Sequence, residues 1–302
     1  MGRSLGINTI GDKTCSYACV YCQVGNTPNK QFKPRHFISP AQVREAVARH
    51  IEKLQGENSR IDYLTFVPDG EPTLDVALGE SIEALREFDI PIAVITNASL
   101  LWLEDVRRRL FAADLVSIKL DSVEETAWRR INRPHPELRL DTVLHGIVEF
   151  AGRYPGSLIS ETMLLAEEND SADAVTGIAD SLACMAPDTA YLAVPTRPPA
   201  VARFRGSDER RLTRAHSIFA ERLERVELLT GNEVGPFAHT GDARTDLLAI
   251  TAVHPMRESA VRELLAGNHC SWALVDELVA DGDLIVVEYD ADRFYLRRVR
   301  QH

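Results

Sequence analysis

The sequence predicts an α/β chain, a partial (βα)6 barrel followed by a small α+β unit, and three observations carry that prediction. Between Asp62 and about Arg225, short β-branched or apolar runs alternate with longer stretches of helical periodicity. After a connector near Gly231 and Gly235 the alternation stops, and three short helical patterns precede two strand-like runs. The 302 residues, 45% of them hydrophobic, suffice for a sizeable core, which excludes a disordered chain or a small stapled scaffold.

Taken in order, strands are expected at Leu5 to Thr9, Tyr63 to Val67, Ile92 to Thr96, Leu115 to Leu120, Leu158 to Leu164 and Tyr191 to Val194. Helices are expected between them at Pro40 to Gln55, Asp75 to Glu87, Leu101 to Ala112, Leu140 to Tyr154, Ser171 to Met185 and Asp208 to Leu223. Ser39-Pro40 opens the first helix with an N-cap and a proline at the first helical position. Such alternation also suits a doubly wound open sheet, which remains the competing topology. Val226 to Leu229 is a last strand-like run, and Thr230-Gly231-Asn232 with Gly235-Pro236 marks a connector, dividing the chain into domains at 1–230 and 236–302. Beyond it, helices at Asp242 to Val253, Glu258 to Leu265 and Ser271 to Ala280 lead to strands at Leu284 to Tyr289 and Phe294 to Val299. The strands join at a turn around Asp290 to Arg293, and the whole resembles a winged helix-turn-helix.

Charge and cysteine usage narrow the function classes. With 34 Lys+Arg against 45 Asp+Glu the net charge is −11, unfavourable for a general polyanion-binding surface. The third helix of the tail, where a DNA reader would place its contacts, has Asp276 and Glu277, then Asp281, and no Lys or Arg, so nucleic acid is not an expected partner. No apolar run approaches the roughly 18 to 20 residues that cross a bilayer. Met1 to Gly6 lacks the apolar segment of a secretory signal, and five cysteines fit reduced cytoplasmic thiols better than a disulfide framework.

Three of those five crowd into Cys15-Ser16-Tyr17-Ala18-Cys19-Val20-Tyr21-Cys22, whereas Cys184 and Cys270 stand alone. A closed zinc site wants four ligands, and no fourth cysteine or histidine follows before His36. Three thiolates on a four-iron cluster would leave one iron open to another ligand. Polar residues also gather where later strands end, which is where parallel α/β folds place their sites. Pro68-Asp69-Gly70-Glu71-Pro72 follows the second strand, Thr96-Asn97 the third and Lys119-Leu120-Asp121 the fourth. Asn97 and Asp121 could equally cap the next helix. Glu161, inside an otherwise apolar fifth strand, would be costly to bury without a partner. Arg133 and His135, in Ile131-Asn132-Arg133-Pro134-His135, and Arg197, in Arg197-Pro198-Pro199, could bind an anionic substrate, or belong to solvated loops stiffened by proline.

The spacing Cys-x3-Cys-x2-Cys after a first strand, with an aromatic directly before the third cysteine, resembles the radical S-adenosylmethionine (radical SAM) enzymes. That resemblance implies a [4Fe-4S] cluster on Cys15, Cys19 and Cys22, with SAM on the fourth iron and Tyr21 beside its adenine. The segment 68–74 looks like the superfamily's Gly-Gly-Glu loop, which holds the SAM amino group; Gly70 and Glu71 match, and Asp69 stands in for the first glycine. Asn97, Asp121 and Glu161 become candidates for the remainder of SAM, with Lys119 available to a carboxylate. The stretches Gly2-Arg3-Ser4-Leu5-Gly6, Gln23-Val24-Gly25, Ile131 to His135 and Arg197-Pro198-Pro199 are similar to stand-alone Fe-S oxidoreductase proteins related to wyosine-type tRNA-modifying enzymes. The implied function is SAM cleavage to a 5′-deoxyadenosyl radical and hydrogen abstraction from an unidentified small-molecule, peptide or protein substrate, with an external electron donor. A tRNA-base-modifying enzyme and a non-catalytic metal-binding adaptor are the alternatives.

Overall fold

Seven parallel strands in consecutive order organise the larger part of the computed structural model, whose described residues are 2–11, 13–55, 60–67, 69–229, 241–253, 255–289 and 292–297. They are β1 (Ser4–Ile7), β2 (Tyr63–Phe66), β3 (Ile92–Thr96), β4 (Leu115–Lys119), β5 (Ser157–Met163), β6 (Thr189–Ala193) and β7 (Val226–Leu229). The intervening helices are α1 (Pro40–Gln55), α2 (Leu78–Leu85), α3 (Glu104–Leu110), α4 (Glu125–Ile131), α5 (Leu140–Ala151), α6 (Ala172–Met185) and α7 (Glu209–Ala220). Each strand pairs with the next in parallel, Leu5 beside Leu64 at one end and Leu192 beside Leu228 at the other. A doubly wound sheet reverses its strand order at a switch point, and this one never does, so right-handed crossovers keep all helices on one face. Among the described residues β1 and β7 do not pair, leaving the barrel open along one side. The sheet thus carries one strand more than six βα repeats.

Alternation within the strands separates the two faces. Leu64, Phe66, Val94, Val116, Ile118, Ala190 and Leu192 are buried in the main core with Leu78, Ile82, Val106, Leu110 and Ile147 of the helices. Ala93, Leu115 and Ile159 form a separate small cluster with Tyr63 and Tyr191 on the concave face. Lys119 and Glu161, in register on β4 and β5, continue that face toward the strand ends.

Beyond residue 240 come α8 (Ala243–Val253), β8 (Met256–Arg257), α9 (Glu258–Gly267), α10 (Ala273–Ala280), β9 (Leu284–Tyr289) and β10 (Asp292–Arg297), with an antiparallel sheet in the order β8-β10-β9. Their own core contains Leu247, Met256, Val261, Leu264, Val275, Leu278 and Tyr295, against which Trp272 packs. The two-residue β8 was not expected from sequence. Hydrogen bonds from Arg257 Nη2 to the Thr196 carbonyl (3.4 Å) and from the Tyr289 hydroxyl to the Pro195 carbonyl (3.3 Å) join this part to the loop after β6. The expected connector at 230–236, Pro68, Asp290-Ala291 and the end of the last expected strand lie outside the described residues. No helix among the described residues is long and apolar enough to cross a membrane.

Candidate functional site

The loop between β1 and α1 carries the three cysteines, and backbone hydrogen bonds fasten it to segments far along the chain. Glu71 N–H donates to the Thr14 carbonyl (3.1 Å), Ala18 N–H to the Asn132 carbonyl (3.0 Å), and Val20 N–H to the Ile131 carbonyl (2.9 Å). His135 N–H reaches the Ser16 carbonyl at 2.8 Å, and Val201 N–H the Val20 carbonyl at 3.0 Å. The Lys30 ammonium adds bonds to the carbonyls of Arg133 (3.1 Å) and Pro134 (2.9 Å). Short turns at Cys19–Cys22 and Cys22–Gly25 complete the loop, with Gly25 in the left-handed region at φ 83°.

Gly70 is glycine because nothing larger fits. A Cβ there would lie 1.7 Å from the Thr14 carbonyl oxygen and 2.6 Å from its carbon, so the turn after β2 presses directly on the residue before Cys15. The next side chain, Glu71, is buried, and its carboxylate is saturated by protein donors. Oε1 accepts from Thr73 N (3.0 Å), Thr73 Oγ1 (2.6 Å) and Thr96 Oγ1 (2.6 Å), while Oε2 accepts from Asn97 N (2.8 Å). Burial pushes this carboxyl above the usual range, and those donors pull the other way. The Asn97 amide, oriented by Ser99 N–H on its oxygen at 2.9 Å, donates to Ser16 Oγ (2.9 Å) and Cys15 Sγ (3.4 Å).

A second network surrounds Tyr21. Its buried hydroxyl donates to Asp121 Oδ2, which also takes Asn132 Nδ2 at 2.6 Å, while Asp121 Oδ1 takes Met163 N–H at 2.9 Å. The Asn132 amide additionally points at Cys19 Sγ, 3.5 Å away. The Lys119 ammonium sits 5.1 Å from the Tyr21 ring centroid and pairs with Glu161 Oε1 at 2.7 Å. Burial disfavours that ammonium, but Glu161 and Asp121 outweigh it and hold its pKa above the usual range. Burial likewise raises the Asp121 carboxyl, against the pull of Lys119 and Tyr21.

The other expected residues fall around the same loop. Arg197 Nη1 donates to Gln23 Oε1 at 3.2 Å, directly after Cys22. His135 packs on Phe32 with the rings tilted by 39° and 4.6 Å between centroids, and Arg133 sits at φ 46° with its carbonyl accepting from both Ala18 N–H and Lys30. The Ile131 to His135 segment therefore clamps the cysteine loop through its backbone, and the Asn132 side chain adds its contacts to Asp121 and Cys19. Sequence reasoning did not single out Lys13, whose ammonium lies 3.2 Å from Cys22 Sγ and also donates to the Gly25 carbonyl. A lone lysine two residues before a cysteine carries no signal by itself.

Burial and the nearby Glu71 carboxylate drive the Cys15 thiol well above the usual range, and burial with Asp121 pushes Cys19 up to about 12. Thiols in such surroundings keep their protons at neutral pH until a cation displaces them. Among the described residues no three His, Cys, Asp or Glu side chains are grouped as the ligands of a single metal ion.

Known proteins resemble this chain in sequence and in fold. A family model described as the radical SAM superfamily matches residues 13–174. The UPF0026 protein MJ1312 of Methanocaldococcus jannaschii is 45% identical over 302 residues, covering 99% of this chain and 94% of that one. In fold, the chain is similar to a radical SAM methyltransferase from Sphaerobacter thermophilus, with TM-score 0.54, 15% identity and coverage of 76% of this chain and 67% of that one. It is also similar to archaeal TYW1, with TM-score 0.50, 15% identity and coverage of 73% and 72%.

Proposed function

Because the chain belongs to the radical SAM superfamily, whose members are enzymes that use a [4Fe-4S] cluster and SAM, we propose that Cys15, Cys19 and Cys22 hold the cluster and that the strand ends around them hold SAM. The observation that carries this is the convergence of the β2, β3, β4 and β6 ends on one cysteine loop, through Gly70, Asn97, Asp121 and Arg197. The chemistry of the donors supports it as well, since an N–H group faces each of the three sulfurs. When bound, the cluster supplies the electron that cleaves SAM to methionine and a 5′-deoxyadenosyl radical, which abstracts a hydrogen atom from substrate.

The protein's own part is to bind, orient and exclude water. The Glu71 carboxylate is committed to Thr73, Thr96 and Asn97, so the SAM ammonium would meet the backbone carbonyls of the Gly70 turn rather than that side chain. Asp121 is equally committed, and its role is to seat Tyr21 and Asn132 beside the cysteines. Lys119 and Glu161, paired on the concave face and about a fifth exposed, are the groups offered to SAM or to substrate. We further propose that residues 236–302 make a winged-helix-like domain beside the barrel at 1–230, walling the site near Thr196, to which Arg257 donates. Its α10 carries Asp276 and Glu277 and no basic residue, which favours a wall over a nucleic-acid reader.

Anaerobic reconstitution with iron and sulfide, followed by SAM and dithionite, should give 5′-deoxyadenosine and methionine. Protein carrying a full cluster that releases neither would refute the proposal.

A further inference from the structure

Each cysteine sulfur of the triad has its own side-chain N–H donor, and the three donors come from different parts of the chain. Lys13 Nζ is 3.2 Å from Cys22 Sγ, Asn97 Nδ2 3.4 Å from Cys15 Sγ and Asn132 Nδ2 3.5 Å from Cys19 Sγ. All are held by partners other than sulfur: Lys13 by the Gly25 carbonyl, Asn97 by Ser16 and Ser99, Asn132 by Asp121. A hydrogen bond to a neutral thiol is weak, whereas one to a thiolate is charge-assisted. The three donors are thus placed where a thiolate ligand of a bound group would hold each of them more strongly.

The three positions differ in sign. Cys15 and Cys19 each receive a neutral amide and lie near a buried carboxylate, Glu71 and Asp121 respectively. Cys22 receives an ammonium. Reduction places one electron on a group already ringed by thiolates, and hydrogen bonds to the sulfurs together with local charge set how readily it enters. No bond forms or breaks in that step, and the electron comes from an external one-electron donor.

We infer that Lys13, Asn97 and Asn132 are positioning residues that set the reduction potential of the group on the three cysteines, with Lys13 dominant because it alone brings a full positive charge. This rests on the triad holding a [4Fe-4S] cluster. The carboxylates beside Cys15 and Cys19 oppose the added electron, and the ammonium beside Cys22 offsets them.

The test compares full-length wild type, Lys13→Met, Lys13→Arg and, as a surface control, Lys33→Met, whose parent lysine is exposed and lies over the Phe32 ring. After anaerobic reconstitution, iron and sulfide content is measured and the cluster titrated spectroelectrochemically. Lys13→Met should disfavour the reduced form at least tenfold, a shift of about 59 mV to lower potential for one electron, while Lys13→Arg and Lys33→Met stay at the wild-type value. A loaded Lys13→Met cluster with unchanged potential, or an equal shift in Lys33→Met, would overturn the inference. Should Lys13→Met bind no cluster, pulsed EPR of the reduced protein labelled with 15N in its lysine side chains decides. A nitrogen coupling in wild type that vanishes in Lys13→Arg supports the role, and its absence in wild type refutes it. Failure of wild type itself to hold a cluster would instead count against the cysteine assignment.

Discussion

Replacing Gly70 by alanine should dislocate the cysteine loop from a position that touches neither a cysteine nor SAM through a side chain. The new Cβ would sit 1.7 Å from the Thr14 carbonyl oxygen, far inside the 3.0 Å that real Cβ contacts respect. Neither neighbour is the free end of a flexible chain, so backbone must retreat by about 1.3 Å, the difference between those distances. Retreat breaks the Glu71 N–H bond to Thr14, worth about 1 kcal/mol, and the overpacking adds about 1–3 kcal/mol. The expected loss is about 2–4 kcal/mol of stability, together with loss of iron loading because Cys15 follows Thr14. Gly11→Ala is the control, since a Cβ there meets nothing within 4 Å. Urea unfolding followed by circular dichroism, with iron and sulfide assays after anaerobic reconstitution, reads both effects. A Gly70→Ala protein as stable and as fully loaded as Gly11→Ala would refute the argument.

Two further outcomes follow from the buried polar network. Asp121→Ala should cost about 3 kcal/mol or more, because it strands Tyr21 OH, Asn132 Nδ2 and Met163 N–H without their acceptor; a urea midpoint equal to wild type would show those bonds to be dispensable. Burial pushes the Cys19 thiol up to about 12 and raises the Cys15 thiol as well, so a cluster held by these residues would displace their protons. Cluster affinity should therefore fall as pH is lowered through the neutral range, and loading in weak buffer should release protons; iron binding that is flat with pH, with no acidification, would contradict this.

Much of the barrel was legible because its strands obey a simple pattern. Ile92–Thr96 and Val226–Leu229 fall where the apolar runs place them, as does Leu284–Tyr289 in the smaller sheet, each bounded by turn or polar residues. The helix Glu125–Ile131 was not read, being only seven residues long and too short for periodicity to register. At the site, residue types pointed to the cysteines and to the strand-end residues, but not to how they are spent. Glu71 and Asp121 look like ligands in sequence, and in the structure they accept from Thr73, Thr96 and Asn97 and from Tyr21, Asn132 and Met163 respectively. Apart from the Asn132 amide, the clamp by Ile131 to His135 runs through backbone atoms, which every residue possesses, so side-chain types alone do not announce it.

The bond between Val20 and Val201 bears on the order of events during synthesis. A nascent chain has made all three cysteines by residue 22, yet the segments that shape their loop emerge only with residues 70, 97, 131–135 and finally 201. Contacts so distant in sequence form late, after the intervening strands have aligned. A cluster held by the triad would accordingly find its loop complete only in a folded barrel, and a chain truncated before β6 would carry every cysteine of the triad without the Val201 contact that helps to shape it.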